Sequence, residues 1–289
     1  MMLTLLLKII SKVPFAALYF VADAFYLLNK YVIRYRYDVV RNNLRNAFPD
    51  RSDRELSILT EQIFRNLADV LVETIKGIAI SREELESRME INIPQSIQAL
   101  ANQGQPLMFL SAHYGNWEWL VLYCSIHLPR PIMGAYQPFH NQRFDDFMLK
   151  TRTRFGGTMV SATDLIRQTI KQRKIIKALA LLIDQTPARH ERKYWTKFLN
   201  QDTAFIDGTD SLAFLTGMPV VLVSMKRQKR GHYEVSLKLI AEPPYSKNDQ
   251  TVVKRYAREL EATILSDPSN WLWTHRRWKL SRPAGEDDS

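Results

Sequence analysis

One histidine in this sequence stands where it could carry out acid–base chemistry. His113 follows the apolar run Leu107–Leu110, which indicates a strand, and precedes a helical pattern over Asn116–Leu128. Functional residues of open α/β sheets gather beyond the carboxyl ends of strands, which is where this turn falls. Gly115 permits the tight turn, and Asn116 is a typical helix cap. We therefore expect His113 to lie at the carboxyl edge of a sheet.

Glu118 falls in the first turn of the helix that follows His113. The helix dipole stabilises a carboxylate at that position. A charged Glu118 beside His113 would fix the imidazole tautomer and raise its basicity, which is the arrangement that activates a hydroxyl nucleophile. The spacing is also compatible with a histidine whose hydrogen bonds are satisfied within a strand–helix turn. No second histidine or carboxylate stands at metal-ligand spacing, so we expect no metal site.

Several enzyme classes are excluded by the motifs that the sequence lacks. The chain has no G-x-S-x-G elbow, G-x-G-x-x-G loop, Walker loop or H-E-x-x-H pair, and it has only 10 glycines. These absences argue against nucleotide-cofactor chemistry, zinc proteolysis and a serine acyl-enzyme. The single cysteine, Cys124, excludes an internal disulfide framework, a cysteine-rich zinc site and an iron–sulfur cluster.

Short apolar runs and helical patterns alternate after Ile91, which predicts an α/β fold with a mostly parallel central sheet flanked by helices. The expected strands are Leu107–Leu110, Pro131–Ala135, Thr158–Val160, Ile175–Ile183, Val220–Met225 and Tyr233–Ile240. Asp184 directly follows one of them, which predicts that it lies at the same sheet edge as His113. The expected helices are Tyr37–Ala47, Ser52–Lys76, Ser81–Met89, Asn116–Leu128, Asn141–Phe155, Thr163–Arg173, Thr209–Thr216, Val252–Leu265 and a short tail, Trp271–Trp278.

The N-terminal segment differs in composition from the rest of the chain. Its first 28 residues carry only three charges, and Val13–Leu28 is nearly continuous apolar sequence. Basic and aromatic residues follow at Lys30–Tyr37, as membrane interfaces favour. We expect a membrane-inserted or membrane-lying helix within residues 1–30. A buried core helix and a cleaved signal peptide, with Ala22–Ala24 imitating a cleavage site, are the alternatives. The basic flank favours a cytoplasmic main body.

Composition and charge limit the remaining choices. With 289 residues, 46% of them apolar, the chain can build a sizeable core, and disorder is excluded. Its net charge of +10 predicts an anionic partner: phosphates, an anionic membrane, nucleic acid or an acidic protein. Arg152 and Arg154 end a helical pattern, where they are either solvated or available to bind an anion. Residues 31–282 fit one domain with a helical first part, 31–90, and 283–289 form a polar tail.

Five segments, taken in order, resemble a known family. His113–Glu118 resembles the H-x4-D/E motif of the lipid A biosynthesis acyltransferases, the lauroyl and myristoyl transferases of Gram-negative bacteria. That motif is shared by many acyltransferases, whereas the ordered set is specific. The chain departs from the family pattern in an expected aromatic loop, Tyr194–Asn200, where the family commonly has a glycine-containing stretch that ends P-F-F-G. The other matching segments are Arg41–Pro49 (R-x-N-L…F-P), Arg152–Gly156 (R-x-R-x-G), Asp184–Gln185 (D-Q) and Trp271–Lys279 (W-x-H-R-R-x-K).

The resemblance implies a glycerolipid-acyltransferase-like fold and transfer of a fatty acyl group from acyl carrier protein to a hydroxyl of a lipid A precursor. The reaction would take place at the cytoplasmic face of the inner membrane, without a cofactor, metal or nucleic acid. His113 would remove the hydroxyl proton, and Glu118 would hold and polarise His113. The resemblance further implies a group of substrate-binding residues: Asn116, Arg152, Arg154 and Asp184.

Two alternative functions remain open on the residues alone. One is an acyltransferase that acts on another membrane glycolipid or phospholipid, with acyl-CoA or acyl carrier protein as donor. The other is a basic, membrane-associated nucleic-acid-binding protein, which the charge and aromatic content permit. No RNA-binding aromatic strand or helix-turn-helix pattern supports the second alternative, and it gives His113 and Glu118 no role.

Overall fold

The centre of the protein is a seven-stranded sheet. A computed structural model describes residues 2–247 and 249–283, so most of the expected polar tail lies outside the described residues. In chain order the strands are β1 (Met89–Asn92), β2 (Leu107–Ser111), β3 (Ile132–Tyr136), β4 (Thr158–Ser161), β5 (Ala178–Leu182), β6 (Lys193–Phe198), β7 (Gln201–Ile206), β8 (Val220–Lys229) and β9 (His232–Ala241).

The sheet has the strand order β1-β9-β8-β2-β5-β3-β4, and β6 and β7 form a separate hairpin. All neighbouring strands of the large sheet run parallel except β8 and β9, which are antiparallel. Alternate residues of the central strand β2 point to opposite faces of the sheet. Met108 and Leu110 belong to the apolar cluster on one face, and Leu107 and Phe109 belong to the cluster on the other. The sheet is therefore buried on both faces, as parallel sheets require. The predicted fold class is confirmed.

Helices surround this sheet and supply the walls of the site described below. The long helix α4 begins at a capping box in which Ser52 and Glu55 satisfy each other's backbone N–H groups. The helices are α1 (Met2–Ile10), α2 (Phe15–Leu28), α3 (Tyr37–Ala47), α4 (Asp53–Gly77), α5 (Arg82–Glu86), α6 (Gln95–Asn102), α7 (Trp117–His127), α8 (Gln142–Arg152), α9 (Leu165–Gln172), α10 (Gly208–Thr216) and α11 (Thr251–Ser266).

The second helix, α2, lies within the apolar N-terminal region and has one buried and one exposed face. Leu18, Ala22 and Tyr26 are buried, because they pack against α4, whereas Phe20 is 75% exposed and Phe25 is also exposed. A π-helical turn continues α2, and the combined helix, 15–33, is the one helix in the described part of the chain that is long and apolar enough to cross a membrane. Only 22% of an apolar 18-residue stretch of this helix is buried within the protein. The prediction of an apolar N-terminal helix is confirmed.

Three local predictions are wrong. The expected helix at Trp271–Trp278 is an irregular segment, because backbone bonds to the turn after β2 hold it open: Leu272 N–H donates to His113 O at 3.0 Å. The expected helix at Ser81–Met89 ends early, and Met89 opens β1 instead. The aromatic loop expected at residues 194–200 is the β6–β7 hairpin. Leu199 and Asn200 both have positive φ there, which suits a two-residue hairpin turn.

Candidate active site

Two adjacent strands bring His113 and Asp184 together. β2 and β5 run parallel, with Ser111 aligned with Leu182. His113 and Asp184 each lie two residues beyond these aligned ends, so the side chains meet at the same edge of the sheet. The Nδ1–H of His113 donates to Oδ1 of Asp184 at 2.7 Å. The predicted position of both residues at one sheet edge is confirmed.

The C-terminal segment closes around this pair. Asp184 is buried, and its second oxygen, Oδ2, accepts a hydrogen bond of 2.9 Å from Nε1 of Trp271. The backbone of the segment is tied to the turn after β2, since Gly115 N–H donates to Asn270 O at 2.9 Å. Asp184 therefore has both oxygens occupied by donors and a fixed orientation toward the imidazole ring.

The electrostatics of the pair favour a basic imidazole. Burial alone lowers the pKa of His113, but the charge and hydrogen bond of Asp184 outweigh it, and the pKa is raised above its ordinary value. Burial raises the pKa of Asp184, but His113 and Trp271 stabilise the carboxylate, and its pKa is lowered. With the proton held on Nδ1, the lone pair of Nε2 can accept a proton. That nitrogen lies 3.3 Å from Nε2 of Gln185.

Glu118 has a different partner from the one expected. It lies in the first turn of α7, as predicted, but both carboxylate oxygens accept hydrogen bonds from Arg152, at 2.9 Å from Nε and 2.6 Å from Nη2. Each of these side chains is 14% exposed. The expected Glu118–His113 contact is wrong, because Asp184 occupies Nδ1 and the last turn of α8 presents Arg152 to Glu118. Glu118 still contributes to the raised pKa of His113 through its charge.

Two residues expected to bind substrate are occupied by structural contacts. Asn116 caps α7, as predicted, by accepting from Trp119 N at 3.0 Å, and its amide donates to Glu73 at 2.8 Å in a fully buried position. Arg154 donates from Nη1 to the carbonyls of Gly77 and Ile80, at the end of α4. These contacts do not support a direct substrate contact by Asn116 or Arg154.

His275 also belongs to this region and received no role from the sequence. Its Nε2 accepts from Thr186 N–H at 3.2 Å, and Thr186 follows Asp184 by two residues. Burial lowers the pKa of His275 to about 4, so its ring is neutral at physiological pH. Its place in the W-x-H-R-R-x-K segment was a signal, but no local pattern indicates that this segment folds over the turn after β2.

An apolar groove lies beside the site. Its volume is about 770 Å³, and it lies between α2, α4 and α8. Phe64, Leu71 and Phe144 are among the apolar residues of its walls. Its lining also includes Trp117, Glu118, Gln185 and His275, and Gln185 lies 3.3 Å from Nε2 of His113. Within residues 2–247 and 249–283, no group of three or more His, Cys, Asp or Glu side chains could hold a metal ion.

The fold and the site together define an α/β protein with a histidine–carboxylate pair beside an apolar groove. A family model described as bacterial lipid A biosynthesis acyltransferase matches residues 2–280. The chain belongs to the bacterial lipid A biosynthesis acyltransferase family, which confirms the resemblance seen in its motifs. It is therefore an O-acyltransferase of lipid A biosynthesis.

Individual relatives agree with this family. The chain is 24% identical over 276 residues to the lipid A biosynthesis palmitoleoyltransferase of Escherichia coli K12, which covers 95% of this chain and 89% of that protein. The same figures hold for a lipid A biosynthesis acyltransferase of Shigella flexneri. A lipid A biosynthesis acyltransferase of Haemophilus influenzae is 23% identical over 85% of this chain and 78% of its own length.

Proposed function

We propose that this protein transfers a fatty acyl group from an acyl carrier protein to a hydroxyl of a lipid A precursor, with His113 as the general base and Asp184 as the carboxylate that orients it. The observation that carries the proposal is the His113–Asp184 pair beside an apolar groove, whose lining residue Gln185 lies 3.3 Å from Nε2 of His113. Fatty acyl chains match such a groove, and a hydroxyl acceptor needs a base beside it.

In the proposed reaction, Nε2 of His113 takes the proton of the acceptor hydroxyl while the oxygen attacks the thioester carbonyl. The resulting tetrahedral intermediate collapses when its C–S bond breaks, and the proton on Nε2 passes to the departing sulfur. Asp184 keeps the proton on Nδ1 throughout and stabilises the transient imidazolium. No acyl-enzyme forms, so the reaction needs no serine elbow. General-base catalysis of this kind contributes roughly 100- to 10,000-fold.

The Glu118–Arg152 pair has a separate role in this proposal. The two charges compensate each other, so the pair attracts distant anions weakly, whereas Arg152 still offers N–H groups in a fixed plane. Such donors suit the oxygen that becomes negative in the tetrahedral intermediate. We assign Arg152 to stabilisation of this oxyanion and Glu118 to the orientation of Arg152.

The proposed location is the cytoplasmic face of the inner membrane, with α2 lying along the bilayer. Two ion pairs hold α2 and its π-helical turn to the domain: Asp23 with Arg230 at 2.7 Å, and Lys30 with Glu61 at 2.7 Å. A helix bound to its own domain along its length cannot cross the bilayer alone. Its exposed face, including Phe20, would enter the apolar layer of one leaflet.

The proposed donor protein would dock beside a second cavity. This cavity of about 740 Å³ is lined by Arg189, Arg192, Lys193 and Lys279, and also by Asp207, which pairs with Arg192 at 2.8 Å. The segment 189–193 follows Asp184 closely in the chain, so a carrier bound there would be near the site. Acyl carrier proteins are acidic, and a basic surface guides acidic partners.

The proposal is tested with purified full-length protein in detergent micelles. We expect acyl transfer to a lipid A precursor from acyl carrier protein and much less from acyl-CoA. Glycerophospholipid acceptors serve as the control for the alternative acyltransferase function. Transfer to a glycerophospholipid at a rate equal to or above that of the lipid A precursor would refute the assigned acceptor, and equal use of both donors would refute the assigned donor.

A further inference from the structure

A buried carboxyl group links helix α2 to the turn that carries His113. Glu73 of α4 is fully buried and accepts hydrogen bonds from three elements. Tyr19 of α2 donates its hydroxyl to Oε1 at 2.9 Å. Oε2 accepts from the hydroxyl of Tyr233 on β9 at 2.7 Å and from Nδ2 of Asn116 at 2.8 Å. None of these four side chains has a chemical role in the proposed reaction.

Asn116 transmits this contact to the helix that follows the catalytic turn. Its Oδ1 accepts from Trp119 N–H at 3.0 Å and so fixes the first turn of α7. Nε1 of Trp119 donates a hydrogen bond of 2.7 Å to the backbone carbonyl of Glu73. The two ends of α7's first turn are thus bound to one residue of α4. Because His113 lies only three residues before Asn116, the start of α7 fixes where the imidazole stands.

The position of Gly115 leaves this turn little freedom. Gly115 has φ of +63°, and a Cβ there would lie 2.8 Å from Sδ of Met225. The turn therefore packs against β8 on one side and is hydrogen-bonded to Glu73, through Asn116, on the other. A buried acceptor that loses one donor remains incompletely satisfied, so its other partners shift to compensate.

We propose that Tyr19, Glu73 and Asn116 are positioning residues that make the placement of His113 depend on the docking of α2 onto the domain. The proposal rests on the proposed role of His113 as general base. In consequence, α2 does more than attach the enzyme to a membrane: its undocking lowers turnover even when donor and acceptor are supplied in micelles.

The test removes a single hydroxyl from the full-length protein. Tyr19→Phe retains the ring and the packing of α2 but takes one donor from Glu73. We expect kcat in detergent micelles to fall about 3- to 10-fold, the effect of one lost hydrogen bond to a buried carboxyl group. The KM values for acyl carrier protein and lipid acceptor should change less than about twofold, because neither substrate contacts this hydroxyl in the proposed reaction.

Tyr245→Phe is the control. Tyr245 is also partly buried, and its hydroxyl donates to the backbone carbonyl of Met218 at 2.8 Å. Met218 precedes β8 at the amino ends of β2 and β8, so this hydrogen bond lies at the sheet edge opposite His113. The same chemical change is therefore made without loosening Asn116, and kcat should stay at the parental value.

Asn116→Ser reaches the same connection from its other end. Serine remains a good helix cap but is too short to reach Glu73. We expect a similar loss of kcat, and the double variant with Tyr19→Phe should lose little more than either single variant, because both break one connected chain. The double variant with Tyr245→Phe should equal Asn116→Ser alone.

Parental kcat in Tyr19→Phe would overturn the proposal, whatever its thermal midpoint, because the network would then serve stability alone. Fully additive losses in the Tyr19→Phe, Asn116→Ser double variant would also overturn it. The proposed function fails by a different result, namely retained turnover in His113→Ala, so the two failures are distinguishable.

Discussion

Among single residues, the two carboxylates near His113 have different roles. Asp184 contacts the imidazole directly, whereas Glu118 contacts Arg152. Both residues raise the pKa of His113, but Asp184 does so by charge and hydrogen bond together. The two carboxylates can therefore be separated by their effects on the pH dependence of the reaction.

We predict that Asp184→Asn lowers kcat and moves the acidic limb of the pH–rate profile to lower pH. His113 must be neutral to accept a proton, and its raised pKa places that limb at a higher pH than an isolated histidine would. Loss of the Asp184 charge lowers this pKa, so the neutral form persists to lower pH although the base is weaker. The measurement is kcat/KM from pH 5 to 9. An unmoved acidic limb would show that Asp184 does not set the basicity of His113.

Glu118→Gln should give a different signature. It leaves the His113–Asp184 hydrogen bond intact but weakens the bidentate hold on Arg152. We predict a fall in kcat of about tenfold or more, as for loss of an oxyanion donor, with a smaller shift of the acidic limb than in Asp184→Asn. A larger shift of the acidic limb in Glu118→Gln than in Asp184→Asn would show that Glu118, and not Asp184, orients His113.

At the scale of elements, the sequence was informative wherever strands and turns follow one another locally. The alternation of apolar runs and helical patterns predicted the parallel sheet, and this placed His113 and Asp184 at one edge. Spacing along the chain favoured Glu118 as the partner of His113, because Glu118 is near in sequence. The choice of Asp184 depends on the adjacency of β2 and β5, a tertiary contact that no local pattern encodes.

The C-terminal segment shows the same limit. Trp271–Trp278 has the composition of an amphipathic helix, but its indoles pack against one another and against the core. Trp271 and Trp273 lie 4.8 Å apart between ring centroids, and Trp271 pairs through its backbone with Tyr114. Packing against a distant part of the chain outweighed local propensity here, as it does in many proteins. The hydrogen bond from Trp271 to Asp184 could therefore not be predicted.

The orientation of α2 leads to a prediction about topology. Cys124 is buried, and burial raises its pKa to about 12, so a new exposed cysteine would be the reactive one. Lys12→Cys and Tyr31→Cys place a thiol before and after the apolar helix. If α2 lies along the cytoplasmic face, a membrane-impermeant maleimide should label both in inverted vesicles and neither in spheroplasts. Labelling of one site from each side would show that the helix crosses the bilayer.

At the scale of the whole molecule, the net charge of +10 matters for association with the carrier protein. If the basic cavity guides the carrier, Arg189→Glu with Lys279→Glu should raise the KM for acyl carrier protein about tenfold and lower kcat much less. Added salt should likewise raise the KM of the parental enzyme for acyl carrier protein, because charges are screened beyond about 8–10 Å near physiological ionic strength. The assay holds the lipid acceptor at saturation.

Arg173→Glu with Lys174→Glu is the control for this prediction. Both residues are exposed and precede β5 at its amino end, whereas Asp184 follows its carboxyl end, so they lie at the opposite edge of the sheet. The two pairs of substitutions change the net charge equally. If both raise the KM for the carrier to the same extent, the carrier responds to overall charge and does not dock at the cavity.

The role of His113 as the general base is tested by the turnover of His113→Ala. We predict that kcat for acyl transfer falls roughly 100- to 10,000-fold, while the thermal midpoint and the membrane-bound fraction stay at parental values. His127→Ala, at the opposite end of α7, should retain parental turnover and controls for the loss of a half-buried histidine from this helix. Near-parental turnover in His113→Ala would contradict the assignment of His113 as the general base.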